Sequence, residues 1–205
     1  MSVVRVEGGW AGTAMRWLGR LTAPAEIGLA FVAGLLAGGV VLGFAPGLRA
    51  AVAVSEATLS DDEDATPWRD AVAAWRSDFW ASQRALAPWG AALALIAVEA
   101  VLAAVGMLPG GLAVLVPLFV VACYLVRSAV IGAILGAGTW RTALVLPAIR
   151  PGSTAVFVLV GAALLIAGLA YPAPGLIFGP GLALLAATWL GRRDVAALAA
   201  RQAGR

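Results

Sequence analysis

Long apolar runs without charged residues alternate with short polar segments along most of this chain. Within runs such as GAALLIAGLA, polar and apolar positions do not alternate, and this argues against a membrane β-barrel. About 20 apolar residues can cross the hydrocarbon core, where backbone groups must bond to each other within helices. The runs cover residues 27–44, 46–60, 88–107, 112–135, 154–170 and 175–190. The pattern therefore predicts an all-α fold, a polytopic transmembrane helical bundle.

Neutral turns join these runs in pairs and predict three hairpins with five to six membrane helices. The turns lie around residues 44–46, 107–111 and 171–175. Residues 46–60 would form a helix about 22 Å long at about 1.5 Å per residue, shorter than a hydrocarbon core of about 30 Å. A six-helix topology and a five-helix topology, in which this segment does not cross, both remain open. We expect the chain, 1–205, to be a single membrane domain.

Three segments outside the main runs are expected at the membrane surface. Residues 1–26 mix arginine and tryptophan and fit an N-terminal interfacial segment, whereas residues 191–205 fit a short exposed helix in a cytoplasmic tail. Residues 61–87 begin with an acidic turn and continue as an amphipathic helix expected to lie flat on the cytoplasmic surface. Aromatic and basic side chains make this helix a candidate cytoplasmic interface. The candidate interface residues are Trp68, Trp75, Phe79 and Arg76.

Arginine and tryptophan are distributed unequally between the two ends of the predicted hairpins. All 14 basic residues are arginine, and only Arg49 and Arg127 lie outside the segments opposite the neutral turns. The eight tryptophans lie in or beside the same segments. Basic residues concentrate in cytoplasmic loops, and tryptophan prefers the membrane interface. The distribution predicts a multi-pass plasma-membrane protein with both its N- and C-termini in the cytoplasm.

The composition excludes most catalytic chemistry. The chain has no histidine and no lysine, which removes histidine bases, histidine metal ligands and Schiff-base lysines. Cys123, the single cysteine, lies in an apolar run and is expected to be a core residue. No phosphate-binding glycine loop, HExxH or GxSxG motif is present. We therefore expect no enzyme activity, no cofactor, no metal and no nucleic-acid partner, with the lipid bilayer as the main surrounding.

Ionisable residues inside membrane runs are functional candidates by default. Glu99 and Arg127 lie on consecutive helices of one predicted hairpin, and Arg49 and Glu56 lie seven residues apart on the second predicted helix. One interpretation is a polar pathway or substrate pocket that includes Glu99 and Arg127. The other is a structural ion pair between these two residues, in which each charge lowers the cost of burying the other.

The order of features resembles the YesL-like family of small bacterial integral membrane proteins. The resemblance rests on a proline-led second helix (FAPGLRAAVAV), an aromatic amphipathic segment (TPWRDAVAAWRSDFWASQRAL), a span ending near an arginine (YLVRSAV) and a connector (TALVLPAIRPGSTAVF). It extends over roughly residues 10–195. Members of that family are uncharacterised and are associated with carbohydrate uptake systems of the ABC type. The resemblance implies a bacterial cell membrane protein whose partners are ABC permease or ATPase subunits.

Two functions follow from these observations. The first is a non-enzymatic accessory component of a carbohydrate or other solute uptake system. The alternative is a small transporter or channel that uses the intramembrane residues Glu99 and Arg127. The chain is not expected to be an ABC permease subunit itself, because no cytoplasmic loop carries the glutamate-alanine-alanine element that docks an ATPase.

Overall fold

The computed structural model describes residues 10–39, 42–60, 67–77, 79–108, 111–136 and 138–203. Over these ranges the chain forms helices joined by turns, and no strand. The helices are α1 (Trp10–Ala37), α2 (Phe44–Leu59), α3 (Pro67–Ser77), α4 (Phe79–Ala104), α5 (Leu115–Leu135), α6 (Trp140–Ile149), α7 (Pro151–Ala170) and α8 (Pro172–Ala203). A short 3₁₀ helix, Gly111–Val114, precedes α5. The predicted all-α bundle is confirmed.

Proline and glycine mark several helix boundaries. Pro67, Pro151 and Pro172 are the first residues of α3, α7 and α8, where the missing N–H has no helical acceptor in any case. Gly136 follows the last residue of α5 with φ +84°, a backbone conformation that residues with a Cβ rarely adopt. These residues place the helix ends where the sequence changes from apolar runs to turns.

Four helices are long and apolar enough to cross a membrane: α4, α5, α7 and α8. The first predicted hairpin is shorter, since the apolar part of α1 is Leu21–Ala37 and α2 has 16 residues. Gly34 and Gly47 let α1 and α2 approach closely, because a Cβ added at Gly34 would lie 2.6 Å from the Cα atom of Gly47. Within this hairpin α2 packs mainly against protein, whereas α1 exposes Leu21, Leu29 and Leu36.

Helix α2 lies at the centre of the bundle and contacts α1, α3, α4, α5 and α8. Its buried side includes small residues such as Ala45, Ala50 and Ala51, together with Leu48 and Val54. Small side chains bring neighbouring helices close, which gives van der Waals contact without a large core. The central position explains why a helix of this length can occur in the chain: its neighbours, more than lipid, surround it.

The first turn lies beside the amphipathic segment. The side-chain amide of Gln83 donates to the backbone carbonyl of Leu42, and the ring of Phe44 packs against Gly90. This contact contradicts the prediction that the turn near 44–46 lies at the opposite end of the hairpins from Gln83, within the predicted segment 61–87. The absence of charged residues does not identify an outer loop when the turn packs against other helices.

The predicted surface segments also differ in detail. Residues 1–9 and 61–66 lie outside the described residues, and from Trp10 onward the predicted interfacial segment is the beginning of α1. The tail expected at 191–205 is not a separate exposed helix, because α8 continues to Ala203 and Asp194 is only 2% exposed. The part of α8 around Asp194 thus belongs to the packed bundle, whereas residues 199–203 at its end are exposed.

These contacts predict the relative sidedness of four exposed positions. In a Cys123→Ala background, single cysteines at Leu42 and Arg84 should react with an impermeant maleimide from one side of the membrane. Cysteines at Met107 and Tyr171 should react from the other side. Each of these residues follows the end of a helix, α4 or α7, that is long enough to cross a membrane. The measurement is labelling of intact cells against inverted vesicles. Labelling of Leu42→Cys from the same side as Met107→Cys would contradict the packing of the first turn.

Candidate functional site

A buried arginine forms the polar centre of the bundle. Arg127 lies on α5 with none of its surface exposed. Its Nη1 atom donates to the hydroxyl of Thr154 at 2.6 Å, and its Nη2 atom donates to the hydroxyl of Ser153 at 2.6 Å. Nη2 also donates to the Oδ2 atom of Asp194 on α8. One guanidinium thus joins α5 to α7 and α8.

Asp194 receives its other contacts from the start of α7. The Ser153 hydroxyl lies 3.0 Å from Oδ2 of Asp194, and Nη1 of Arg150 lies 3.7 Å from Oδ1. Arg150 keeps 26% of its side chain exposed, so this second ion pair lies toward the edge of the protein. Two guanidiniums and one carboxylate leave the group with a formal charge of +1. We call these residues the Arg127 cluster, comprising Arg127, Arg150, Ser153, Thr154 and Asp194.

A missing backbone donor explains how Thr154 fits this cluster. In a continuous helix the carbonyl of Pro147 would accept from the N–H of residue 151, but residue 151 is proline and has no N–H. The hydroxyl of Thr154 donates to this carbonyl instead, at 2.7 Å. The same oxygen accepts from Arg127, so both of its bonding roles are used. Thr154 thus connects α6 and α7 to the buried guanidinium.

A charge pair of this kind stabilises a fold only when its hydrogen bonds are nearly complete, because removing two ions from water costs several kcal/mol each. The two terminal nitrogens of Arg127 make three hydrogen bonds, which use three of the five N–H groups of the guanidinium. Only Nε of Arg127 lacks a bonding partner among the described residues. The cluster therefore acts as a fixed joint between helices in this arrangement.

The sequence-based pairing of Arg127 with Glu99 is wrong. Arg127 binds Asp194, and Glu99 on α4 is not among the groups that contact it. Glu99 is half-buried, and it forms no hydrogen bond or ion pair with any residue that the structure describes. Asp194 was missed because its neighbours Arg192 and Arg193 suggested a solvated tail. One signal could have found it: Asp194 is the only acidic residue after Glu99.

Arg49 and Glu56 lie on the central helix α2, and both are half-buried. Nη1 of Arg49 donates to the hydroxyl of Ser82 on α4 at 3.4 Å, which ties α2 to α4. The carboxylate of Glu56 makes no bond with the described part of the chain. The structure therefore assigns Arg49 a packing contact with α4, and the two residues do not form a pair with each other.

Part of the candidate interface is used inside the protein. Trp75 donates from Nε1 to the carbonyl of Gly34 at 3.4 Å, and its ring packs edge-on to Phe79 with centroids 5.7 Å apart. By contrast, Trp68 is 43% exposed and Trp80 is 67% exposed. We call the outward-facing residues of this region the α3 face. It comprises Trp68, Arg69, Val72, Arg76 and Trp80.

Comparison with known proteins gives one match. Residues 25–100 match the model of a family described as "Protein of unknown function, DUF624". The matched stretch covers less than half of the chain and runs from α1 through most of α4, so it includes the α3 face and Glu99. The Arg127 cluster lies outside it. No curated protein and no solved structure matches the chain.

The joint predicts a specific pattern of unfolding free energies. Arg127→Met should lower stability by about 3–5 kcal/mol, since it leaves a buried carboxylate without its main partner. Asp194→Leu should lower stability by a similar amount, since it leaves the buried guanidinium of Arg127 without its carboxylate. The double variant should be less destabilised than the sum of the two, because neither charge is then left buried alone. Unfolding in mixed detergent micelles measures all three.

Arg192→Met is the matched control, since Arg192 is exposed two residues from Asp194 on the same helix. It should change stability by less than about 0.5 kcal/mol. Strictly additive effects of Arg127→Met and Asp194→Leu would show that the two side chains do not interact.

Proposed function

We propose that this chain is a non-enzymatic accessory membrane protein that binds another membrane complex through the α3 face. The partners we propose are the permease or ATPase subunits of a bacterial carbohydrate uptake system. The observation that carries the proposal is the α3 face itself, where two exposed tryptophans stand beside exposed arginines. Tryptophan and arginine are the residues most enriched among the energetic centres of protein interfaces.

The position of the α3 face supports a rigid docking surface. Ala71 on the opposite side of α3 is 3% exposed, and Trp75 is anchored to the backbone of α1. Helix α3 also packs against α2, so its exposed side chains project from a helix held on its inner side, and Trp80 projects from the first turn of α4. A preorganised surface loses less conformational entropy on binding than a mobile one.

The class of partner comes from the resemblance to the YesL-like family and from charge. The α3 face carries Arg69 and Arg76, and Asp70 is an exposed acidic neighbour. A partner with a mainly acidic surface near the inner leaflet would complement it. The family match over residues 25–100 includes this whole face, which is consistent with a role that depends on the first half of the chain.

The transporter alternative has less support from the geometry. Arg127 is already bonded to three side chains, and Glu99 is not one of them. A transport pathway would need ionisable groups that face a shared water-filled cavity. The open groove between α4, α5 and α6 has mainly apolar walls, and neither Glu99 nor Arg127 lines it.

Co-purification tests the proposal. The tagged full chain, solubilised in a mild detergent from the cells that make it naturally, should recover permease and ATPase subunits of a solute uptake system. The combined variant Trp68→Ala, Arg76→Ala, Trp80→Ala should reduce that recovery at least about tenfold. Two interface residues that each contribute about 1–2 kcal/mol are enough for such a loss. Quantitative mass spectrometry provides the measurement.

The control variant replaces an exposed aromatic–basic pair elsewhere. Trp189 is 50% exposed with Arg193 placed 6.0 Å from its ring, so Trp189→Ala with Arg193→Ala removes similar chemistry from α8. Recovery should be unchanged. Equal recovery with the α3-face variant would refute docking through this surface. Solute uptake by the purified chain alone in liposomes, abolished by Glu99→Gln, would favour the transporter instead.

A further inference from the structure

An open groove lies between three helices on the arginine-rich side of the bundle. Its volume is about 650 Å³, and it runs between the first half of α4, the second half of α5 and α6. Leu86, Pro88 and Ala92 contribute to one wall, and Leu125 and Leu144 to the other. This volume lies in the range of about 300–1,000 Å³ that is typical of small-molecule sites. The walls suit a hydrocarbon chain.

The polar groups of the groove are mainly donors. Arg84 lines it with an exposed guanidinium, and Trp89 lines it with a ring that is 5% exposed. The Nε1 atom of Trp89 is buried and has no acceptor among the described residues. Thr139 also lines the groove, but its hydroxyl donates to the carbonyl of Gly136 at 2.7 Å. No carboxylate from the described part of the chain contributes to the lining.

The unpaired Nε1–H of Trp89 and the exposed guanidinium of Arg84 together favour a ligand with a negatively charged acceptor. Leaving a buried N–H without a partner costs about 1–3 kcal/mol, so a ligand oxygen at this position would be stabilising. The apolar walls of the same groove favour binding of an acyl chain. An anionic phospholipid combines both features, and its headgroup lies at the depth where arginine and tryptophan concentrate in membrane proteins.

The rim of the groove has the same chemistry. Trp140 lines it, and the guanidinium of the neighbouring Arg141 lies 5.2 Å from the Trp140 ring. Both residues belong to the first turn of α6, which follows the end of α5. A headgroup at this end would therefore lie near Arg84, which lines the groove, and near Arg141, which neighbours the lining residue Trp140.

We propose that the groove between α4, α5 and α6 binds one anionic phospholipid. Its acyl chain lies along the apolar walls, and its phosphate lies at Arg84. The indole N–H of Trp89 donates to a phosphate or ester oxygen of the same lipid. This binding is independent of docking through the α3 face, which lies outside the groove lining.

Native mass spectrometry of the delipidated full chain in detergent tests the proposal. Titration with dioleoylphosphatidylglycerol should give one saturable adduct, with at least about fivefold tighter binding than dioleoylphosphatidylcholine. One arginine near an anionic lipid accounts for a factor of this size. Excess inorganic phosphate should not displace the lipid, since the acyl chain is part of the site.

Two variants locate the site. Arg84→Gln should weaken phosphatidylglycerol binding about fivefold and phosphatidylcholine binding less, because the choline cation offsets the charge of its phosphate. Trp89→Phe keeps a ring and removes the N–H, and it should weaken both lipids. Arg192→Gln, an exposed arginine outside the groove, should weaken neither.

Arg84 is exposed, so its substitution is not expected to affect folding, and the melting temperature of each variant checks this. Equal binding of the two lipids, or unchanged phosphatidylglycerol binding by Arg84→Gln, would overturn the proposal. Displacement of the adduct by inorganic phosphate would show a simple anion site and would overturn it as well.

Discussion

A guanidinium with no exposed surface sets the arrangement of the second half of this protein. Arg127 lies within an apolar helix, so its charge has to be met by a carboxylate and by hydroxyl groups from neighbouring helices. Asp194 provides the carboxylate, and the beginning of α7 provides two hydroxyls. The part of α8 around Asp194 consequently lies inside the bundle, although the sequence there is rich in arginine.

The same cluster helps to position α6. Thr154 bonds both Arg127 and the carbonyl of Pro147, and the hydroxyl of Tyr124 on α5 donates to the carbonyl of Leu144. Helix α6 is therefore fixed to α5 and α7 along one side. Its other side forms a wall of the groove that we assign to a phospholipid. A structural joint and a proposed ligand site thus share one helix, while the α3 face is built from the first half of the chain.

Apolar runs were sufficient to predict an all-α bundle and the four long helices, because a span of about 20 apolar residues has few alternatives in a membrane protein. Tertiary contacts were not predictable in the same way. The turn at Leu42 is neutral like the turns at 107–111 and 171–175, yet it bonds to Gln83. In the sequence, Asp194 lies in a charged segment beside Arg192 and Arg193. Its burial depends on an ion pair with Arg127, 67 residues earlier. Local patterns of charge do not encode such long-range pairing.

Disulfide formation between α5 and α8 in native membranes measures this joint most directly. A Cβ at Gly191 would lie 3.4 Å from Cγ1 of Ile131, so Ile131→Cys and Gly191→Cys should cross-link under mild oxidation in a Cys123→Ala background. If Asp194 anchors α8, adding Asp194→Asn should slow that reaction. Equal cross-linking rates with and without the carboxylate, or no cross-link at all, would contradict the account.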